Sequence, residues 1–457
     1  MSEHQQFLRL AAAKAVDDEH RYKIAKAIAI YEHAVHQTKS NQFKNWQEAR
    51  TRAAAIKKEA LARLPELLEQ FEKNLTARGG KVFWADNSED AVDYVLRIAR
   101  RLQAKKIVKS KSMTTEEIAL NDHLEKAGIE VWESDLGELI VQLAGEKPYH
   151  IVTPAMHKSK EEIVRLFQEK LNGPATASAE ELTMIARRHL RQAYVTSDIG
   201  ITGCNFLIAE AGAVVVTENE GNARLTVSCP PVHIAIAGIE KIIPRLADLS
   251  LFLPLLATSG TGQQITCYNS IMMGPRQAHE QDGPVEMHVV LLDNGRSRLY
   301  AKENLRAALQ CIRCGACLNA CPVYRTIGGH SYRVTYQGPI GSIITPHYND
   351  FDRFQHLSSA SSLCGACSDV CPVRIDLHHL LLENRWQAAT AEASFFERMA
   401  MRVYAWTMSR PGRLQALRGL GRMLQAPARI FPIVRRTAPT LSKKAFRELW
   451  QEHERQS

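Results

Sequence analysis

The chain has 457 residues, 45% of them apolar and 23% charged, with ten cysteines and a net charge of +9. That length suggests two or three domains, and the composition excludes collagen-like, mucin-like and wholly disordered chains. The charge is uneven: residues 386–457 hold 13 Lys/Arg against 5 Glu, whereas the first 385 hold 45 basic and 44 acidic residues. A basic tail on a near-neutral body, with no recognisable nucleic-acid module, argues against nucleic acid as a partner. No apolar run reaches the roughly 18 residues of a spanning helix. The chain starts MSEHQQFLRLAAAKAVDDEH, without a basic n-region or an apolar h-region, so a cytoplasmic protein is expected. In that reducing compartment, closely spaced cysteines read as metal ligands before disulfides.

Residues 1–75 contain no Gly and one Pro, and are rich in Ala, Glu, Lys and Arg. The register of Ala60, Leu61, Leu64, Leu67 and Leu68 predicts long helices, with Pro65 kinking or restarting one. This is read as a helical arm packed around the next domain. From residue 76 short β-rich runs follow at 81–85, 106–109, 129–133, 150–153, 206–209, 213–217, 233–237 and 287–292. Between them Thr114-x-x-Glu117, Ser159-x-x-Glu162 and Ser178-x-x-Glu181 fit capping boxes at helix starts. Strand and helix in alternation predict an α/β domain with a largely parallel sheet over 76–295. The polar stretch Asp293-Asn294-Gly295-Arg296-Ser297 ends it.

Residues 298–385 carry seven of the ten cysteines. The tail, 386–457, follows. Phe395, Phe396, Met399, Val403 and Trp406 share one helical face there, and Leu414, Leu417, Leu420 and Leu424 another. The only duplication in the chain is the cysteine motif.

The first motif, Cys311-Ile-Arg-Cys314-Gly-Ala-Cys317-Leu-Asn-Ala-Cys321-Pro322, is the C-x2-C-x2-C-x3-C-P run that wraps a [4Fe–4S] cluster. The second, Cys364-Gly-Ala-Cys367-Ser-Asp-Val-Cys371-Pro372, lacks one cysteine, and Ser361 stands in its place. In such pairs the Cys before Pro ligates the other cluster. One cluster is therefore expected on Cys311, Cys314, Cys317 and Cys371, the other on Cys321, Cys364 and Cys367 with its fourth ligand open. Ser361, another side chain or an exogenous ligand could fill the vacancy; Cys204, Cys229, Cys267, His330, His347 and His356 are the candidates in the chain. Zinc is disfavoured because it wants two separated pairs, not duplicated Cys-Pro runs.

At these residues the sequence becomes familiar. CIRCGACLNACPVYRTIGGHSY, GPIGSIITP and SSLCGACSDVCPVRIDLHHLLL closely resemble the LutB-type lactate-utilisation iron–sulfur proteins. KSKSMTTEEIALNDHLEKAGIEVWESDLGE and TSDIGITGCNFLIAEAGAVVVTENEGNARL look like the LUD domain of that family. The resemblance implies a Rossmann-like LUD domain, then an α-helical ferredoxin-type domain with two [4Fe–4S] clusters, between a helical arm and a basic helical tail. It also implies an electron-transfer subunit of a complex oxidising L-lactate to pyruvate. Its partners would be a CCG-motif Cys-rich subunit and a second LUD-domain protein. The missing eighth cysteine belongs to the family pattern.

Other residues carry weaker signals. Lys109 and Lys111, between a strand and a capped helix, could hold an anion such as a carboxylate or phosphate, or form a solvated pair. Ser259-Gly260-Thr261-Gly262 is the nearest approach to a Gly-rich nucleotide loop and reads as a turn. With no G-x-G-x-x-G present, the hydride acceptor is expected on another subunit or in an unadvertised cofactor. Glu210 and Glu218 would be the nucleophile candidates of a CoA-transferase-like enzyme. Between Arg398 and Arg447 lie 12 basic residues and no acidic one. That is a surface for contact with the inner face of a membrane and its quinone pool, or a solvated helix pair. The rival readings are a subunit acting on another 2-hydroxy acid such as glycolate, a CoA-transferase-like enzyme, and a scaffold with structural clusters.

Overall fold

The computed structural model describes residues 1–392, 395–414, 417, 444 and 446–456. They divide into a unit Met1–Gln387 and a unit Ala388–Ser457. In the second, the helix Phe395–Met408 exposes Phe395, Phe396, Met399, Val403 and Trp406. Leu420 and Leu424 of the further helix expected there lie outside the described residues.

The first unit begins with helices Glu3–Ala15, Asp18–Gln42, Trp46–Ala62 and Leu64–Thr76. Pro65 sits in the first turn of the last, where its missing N–H costs nothing, so it restarts the helix. Ala60, Leu61, Leu64, Leu67 and Leu68 are all buried. The arm packs on more than the α/β region: Phe7 meets the Tyr332 ring edge-on at 5.7 Å, and Arg50 Nε donates to the Cys371 carbonyl at 2.8 Å.

The strands among the described residues are β1 (Lys81–Ala85), β2 (Lys106–Lys109), β3 (Glu130–Glu133), β4 (Ile199–Thr202), β5 (Phe206–Ile208), β6 (Ala213–Glu218), β7 (Val232–Gly238), β8 (Ile242–Ile243), β9 (Tyr268–Met272) and β10 (Glu286–Leu292). Six form a parallel sheet in the order β1-β10-β7-β4-β2-β3. Its central strands β4 and β7 are buried along their whole length, as a sheet covered on both faces requires. The other four make a smaller mixed sheet, β8-β5-β6-β9.

Two sequence expectations need correction. Residues 150–153 are not a strand: His150 Nδ1 accepts from the amides of Val152 and Thr153 at 3.1 and 3.2 Å. That closes the backbone locally, and Pro154 follows. Thr114 does not open a capping box either. Ser112 caps the helix Met113–Glu117 through the Thr115 amide, and Glu117 turns to Arg296 at 2.8 Å. The boxes at Ser159 and Ser178 form as read.

One apolar core runs from Phe206, Val215 and Phe252 of the α/β region into Leu318, Ile343 and the buried cysteines. The two regions therefore share packing rather than touching at a polar seam.

Candidate functional site

The two cysteine segments fold as copies. Each has a third residue in the left-handed region (Arg313 at φ 60°, Leu363 at φ 55°) and a glycine two further on, Gly315 at φ 82° and Gly365 at φ 84°. Each then enters a single helical turn, Ala316–Ala320 or Ala366–Val370, that ends on the Cys before Pro. The likeness extends to the side chain that opens the loop. Arg313 N–H donates to Cys311 Sγ at 3.4 Å, and Leu363 N–H donates to Ser361 Oγ at 3.1 Å. Ser361 thus holds the place in the second loop that Cys311 holds in the first.

The fold brings the cysteines together across the copies. Burial, then the charge of Cys311 and of Cys371, pushes the Cys314 thiol far up. Burial followed by Cys311, Cys314 and Cys371 does the same to Cys317. Burial takes Cys371 up to about 11, with Cys311 adding to it against the Ile375 amide, which donates to Cys371 Sγ at 3.3 Å. In the second group burial raises Cys321, with Cys364 adding to it, and takes Cys367 up to about 11, with Cys321 adding. Cys364 is exposed, and the Ala366 amide lowers its thiol.

Thiols this close and this buried do not ionise together without a cation among them. A multi-iron centre supplies that charge and takes thiolates as ligands, so the donor set fits iron–sulfur clusters.

The other candidates for the open position have occupations of their own. His330 Nε2 meets the Lys147 carbonyl at 2.8 Å, and its ring lies with Glu146 and His157. His347 Nε2 meets Asn384 at 2.9 Å, and His356 stacks on His4. Cys229 and Cys267 are exposed, while Cys204 lines a cavity with its thiol pushed up to about 12 by burial.

That cavity, of ≈ 600 Å³, lies between the α/β region and the first cysteine loop and is bounded by both Arg313 and Cys314. The two lysines singled out in the sequence part company here. Lys111 lines the cavity, its ammonium donating to the Val152 carbonyl. Lys109 is fully buried against Glu133 at 2.6 Å and Glu116 at 3.4 Å, and Thr115 Oγ1 takes its third donor.

Glu218 lines the cavity too, but its carboxylate accepts from the Ala223 and Arg224 amides at 2.6 and 2.7 Å. Glu210 is exposed and accepts from the Leu246 amide. Ser259, Gly260 and Thr261 end the helix Leu249–Thr261, with Gly262 as its left-handed cap, so the segment is a helix terminus.

Sequence reasoning missed Lys241, and gave Ser110, between Lys109 and Lys111, and His150 no role of their own. Lys241 is 7% exposed at the end of the turn Ile239–Lys241 and lines the cavity. Burial and the neighbouring Arg313 lower its ammonium. His150 is 2% exposed, and burial with Lys111 nearby takes its imidazole down to about 3. The alternation Ile199-Gly200-Ile201-Thr202, closed by Gly203, was the available signal for the strand that helps build this place.

The LUD domain family matches residues 68–292, and the 4Fe-4S dicluster domain family matches residues 307–375. Lactate utilization protein B of Anoxybacillus flavithermus is 46% identical over 368 residues, covering 80% of this chain and 78% of that one. The protein of the same name from Geobacillus sp. WCH70 is 40% identical over 467 residues, 99% of this chain and 95% of its own. The uncharacterized electron transport protein YkgF of Escherichia coli K12 is 45% identical over 376 residues, 81% of this chain and 78% of that one.

Proposed function

Since the chain belongs to the lactate utilization protein B family, a LUD domain followed by a 4Fe-4S dicluster domain, we propose that it is the electron-transfer subunit of a complex oxidising L-lactate to pyruvate through two [4Fe–4S] clusters. At the coarser level it is an iron–sulfur lactate-utilisation protein. The observation that carries the finer reading is the cross-over of the cysteines. Cys371 of the second loop joins Cys311, Cys314 and Cys317, and Cys321 of the first joins Cys364 and Cys367. Those are the proposed ligand sets, with Ser361 Oγ as the fourth ligand of the second.

When bound, such clusters accept and release one electron at a time, at potentials set by burial and by hydrogen bonds to sulfur. The chain's own residues provide both. Cys314, Cys317 and Cys371 are buried, and the amides of Arg313 and Ile375 donate to sulfur. The first group adjoins the cavity, whereas the second reaches the surface at Cys364. This polarity supports an inlet at the first site and an outlet to a partner at the second.

The CCG-motif Cys-rich subunit and the second LUD-domain protein belong to the proposal as partners, as does a cytoplasmic location. No helix among the described residues is long and apolar enough to cross a membrane. Contact with a membrane and its quinone pool through the basic tail is part of the same proposal, and much of that tail lies outside the described residues.

Iron and acid-labile sulfide per chain, after anaerobic purification, test the reading: about eight of each are expected, and Cys314→Ala should lose about half. Full iron content in Cys314→Ala, or a protein that takes up zinc and no iron, would refute it.

A further inference from the structure

The cavity beside the first cysteine loop has features that electron transfer alone does not use. In the parallel sheet, β2 leads outward to β3 at one edge, whereas β4 leads to β7 and then β10 in the other direction. Neighbouring strands whose connections diverge open a crevice at their carboxyl ends, the usual place for a ligand in such sheets. Ser110 to Ser112 follow β2 and Gly203 to Asn205 follow β4, and both segments line the cavity. Its volume falls within the usual range for small-molecule sites, about 300–1,000 Å³.

The second observation is a set of donors without partners. Four buried cations gather near Glu240. Arg296 is taken up by Glu117 and Glu240, and Lys57 gives its ammonium to the carbonyls of Glu240 and Ile242. The other two belong to residues that line the cavity. Lys241 has no hydrogen-bond or ion-pair partner among the described residues, and Arg313 Nη1 is buried without one. Ser110, 2% exposed and also lining the cavity, leaves its Oγ unpartnered as well. A buried donor left without an acceptor is costly, and Arg313 Nη1 and Ser110 Oγ are two such atoms on residues that line one cavity with Lys241, which suits that cavity to an acceptor. Asp135, Glu218 and Glu220 line the same cavity, which disfavours a multiply charged anion and suits a single carboxylate.

We propose that Lys241, Arg313 and Ser110 form the carboxylate-binding site of a 2-hydroxy or 2-oxo acid, at the junction of the LUD domain and the first cysteine loop. The class of acid rests on the function proposed above; the anion site rests on the geometry alone. Lys241 comes from the turn after β7 and Arg313 from the cysteine loop, so the bound carboxylate is held by both regions and lies beside Cys314. The chain then binds the substrate or product itself, not only its electrons.

The test is calorimetric titration of the full-length, anaerobically purified protein with L-lactate, pyruvate, glycolate and inorganic phosphate, with iron per chain measured on the same samples. Saturable one-to-one binding of pyruvate or lactate is expected, weakened about tenfold or more in Lys241→Met and several-fold in Ser110→Ala at unchanged iron. Ser110→Ala decides the matter should Lys241→Met fail to fold. Tighter glycolate binding would keep the site and change the acid. Phosphate binding in preference to every acid would overturn the carboxylate assignment. No saturable binding to a protein with full iron would overturn the site and leave the iron–sulfur reading standing, whereas pyruvate binding to a protein without iron would do the reverse. Wild-type affinity in Lys241→Met, accompanied by a shifted cluster spectrum, would assign Lys241 to the cluster instead and overturn the proposal.

Discussion

Arg296 lies wholly inside the protein, and its Nε donates to Glu240 at 2.5 Å. The same carboxylate accepts from Arg313 of the first cysteine loop at 3.2 Å, and Glu117 holds the other side of Arg296 at 2.8 Å. Burial raises the cost of ionising Glu240, yet Arg296 and Arg313 outweigh it and hold the carboxyl down at about 2. One buried anion therefore ties the turn after β7 to the cysteine loop.

Removing that anion leaves Arg313 without its carboxylate and Arg296 with Glu117 alone in the interior. Glu240→Gln is expected to lower the unfolding free energy by about 3–5 kcal/mol and to reduce iron retention. Replacing Glu66, which pairs with Arg63 on the surface, should have little effect, because solvent screens the pair. Anaerobic chemical denaturation compares the two, and equal effects would contradict the role given to Glu240.

The paired glycines give a second comparison. Both Gly315 and Gly365 sit in the left-handed region, so alanine pays about 1–2 kcal/mol at either. A Cβ on Gly315 would also come within 2.9 Å of Val152 Cγ2 and 3.2 Å of His150 Cε1, whereas one on Gly365 meets only His378 at 4.0 Å. Gly315→Ala should therefore lose more stability and more iron than Gly365→Ala. Indistinguishable variants would mean that the first loop is not docked tightly on the α/β region.

The repeated cysteine loop was legible in the sequence because a Cys-Pro run encodes its own turn. Strands β1 and β2 and the caps at Ser159 and Ser178 were legible for the same reason: their signals are local. β4 was not. It is four residues long and contains Gly200, where a Cβ would lie 1.8 Å from the Thr226 carbonyl, so helix packing and not strand propensity chose the residue. The cavity was hidden more deeply. Ser110, Lys241 and Arg313 come from three distant segments, and nothing near Lys241 in the chain says that its neighbour in space is a cysteine loop.

A buried neutral histidine contributes less to stability as pH falls. His233 is fully buried, shares a 2.8 Å hydrogen bond with Thr202, and is held down to about 3 by burial and then by His288. Below pH 6.5 the unfolded chain protonates this imidazole and the native state does not. Its contribution to stability is thus full above 6.5 and lost as pH falls toward 3, at about 1.4 kcal/mol per pH unit. His233→Gln should show a shallower loss of unfolding free energy between pH 6.5 and 5, measured by anaerobic denaturation. Parallel slopes for variant and wild type would rule this account out.

Ser361 offers the sharpest test of the repeated loop. Its hydroxyl accepts the Leu363 amide as Cys311 sulfur accepts that of Arg313, so a thiol placed there has a fold ready to receive it. A hydroxyl holds iron more weakly than a thiolate, because the soft thiolate is the ligand iron–sulfur clusters prefer. Ser361→Cys should retain about one more iron per chain than wild type after anaerobic exposure to a chelator, and Ser361→Ala should retain no more than wild type. Electron paramagnetic resonance of the oxidised samples would register the same order, as a three-iron signal strongest in Ser361→Ala and absent in Ser361→Cys. Three proteins with identical iron retention and identical spectra would place the fourth ligand of the second cluster elsewhere.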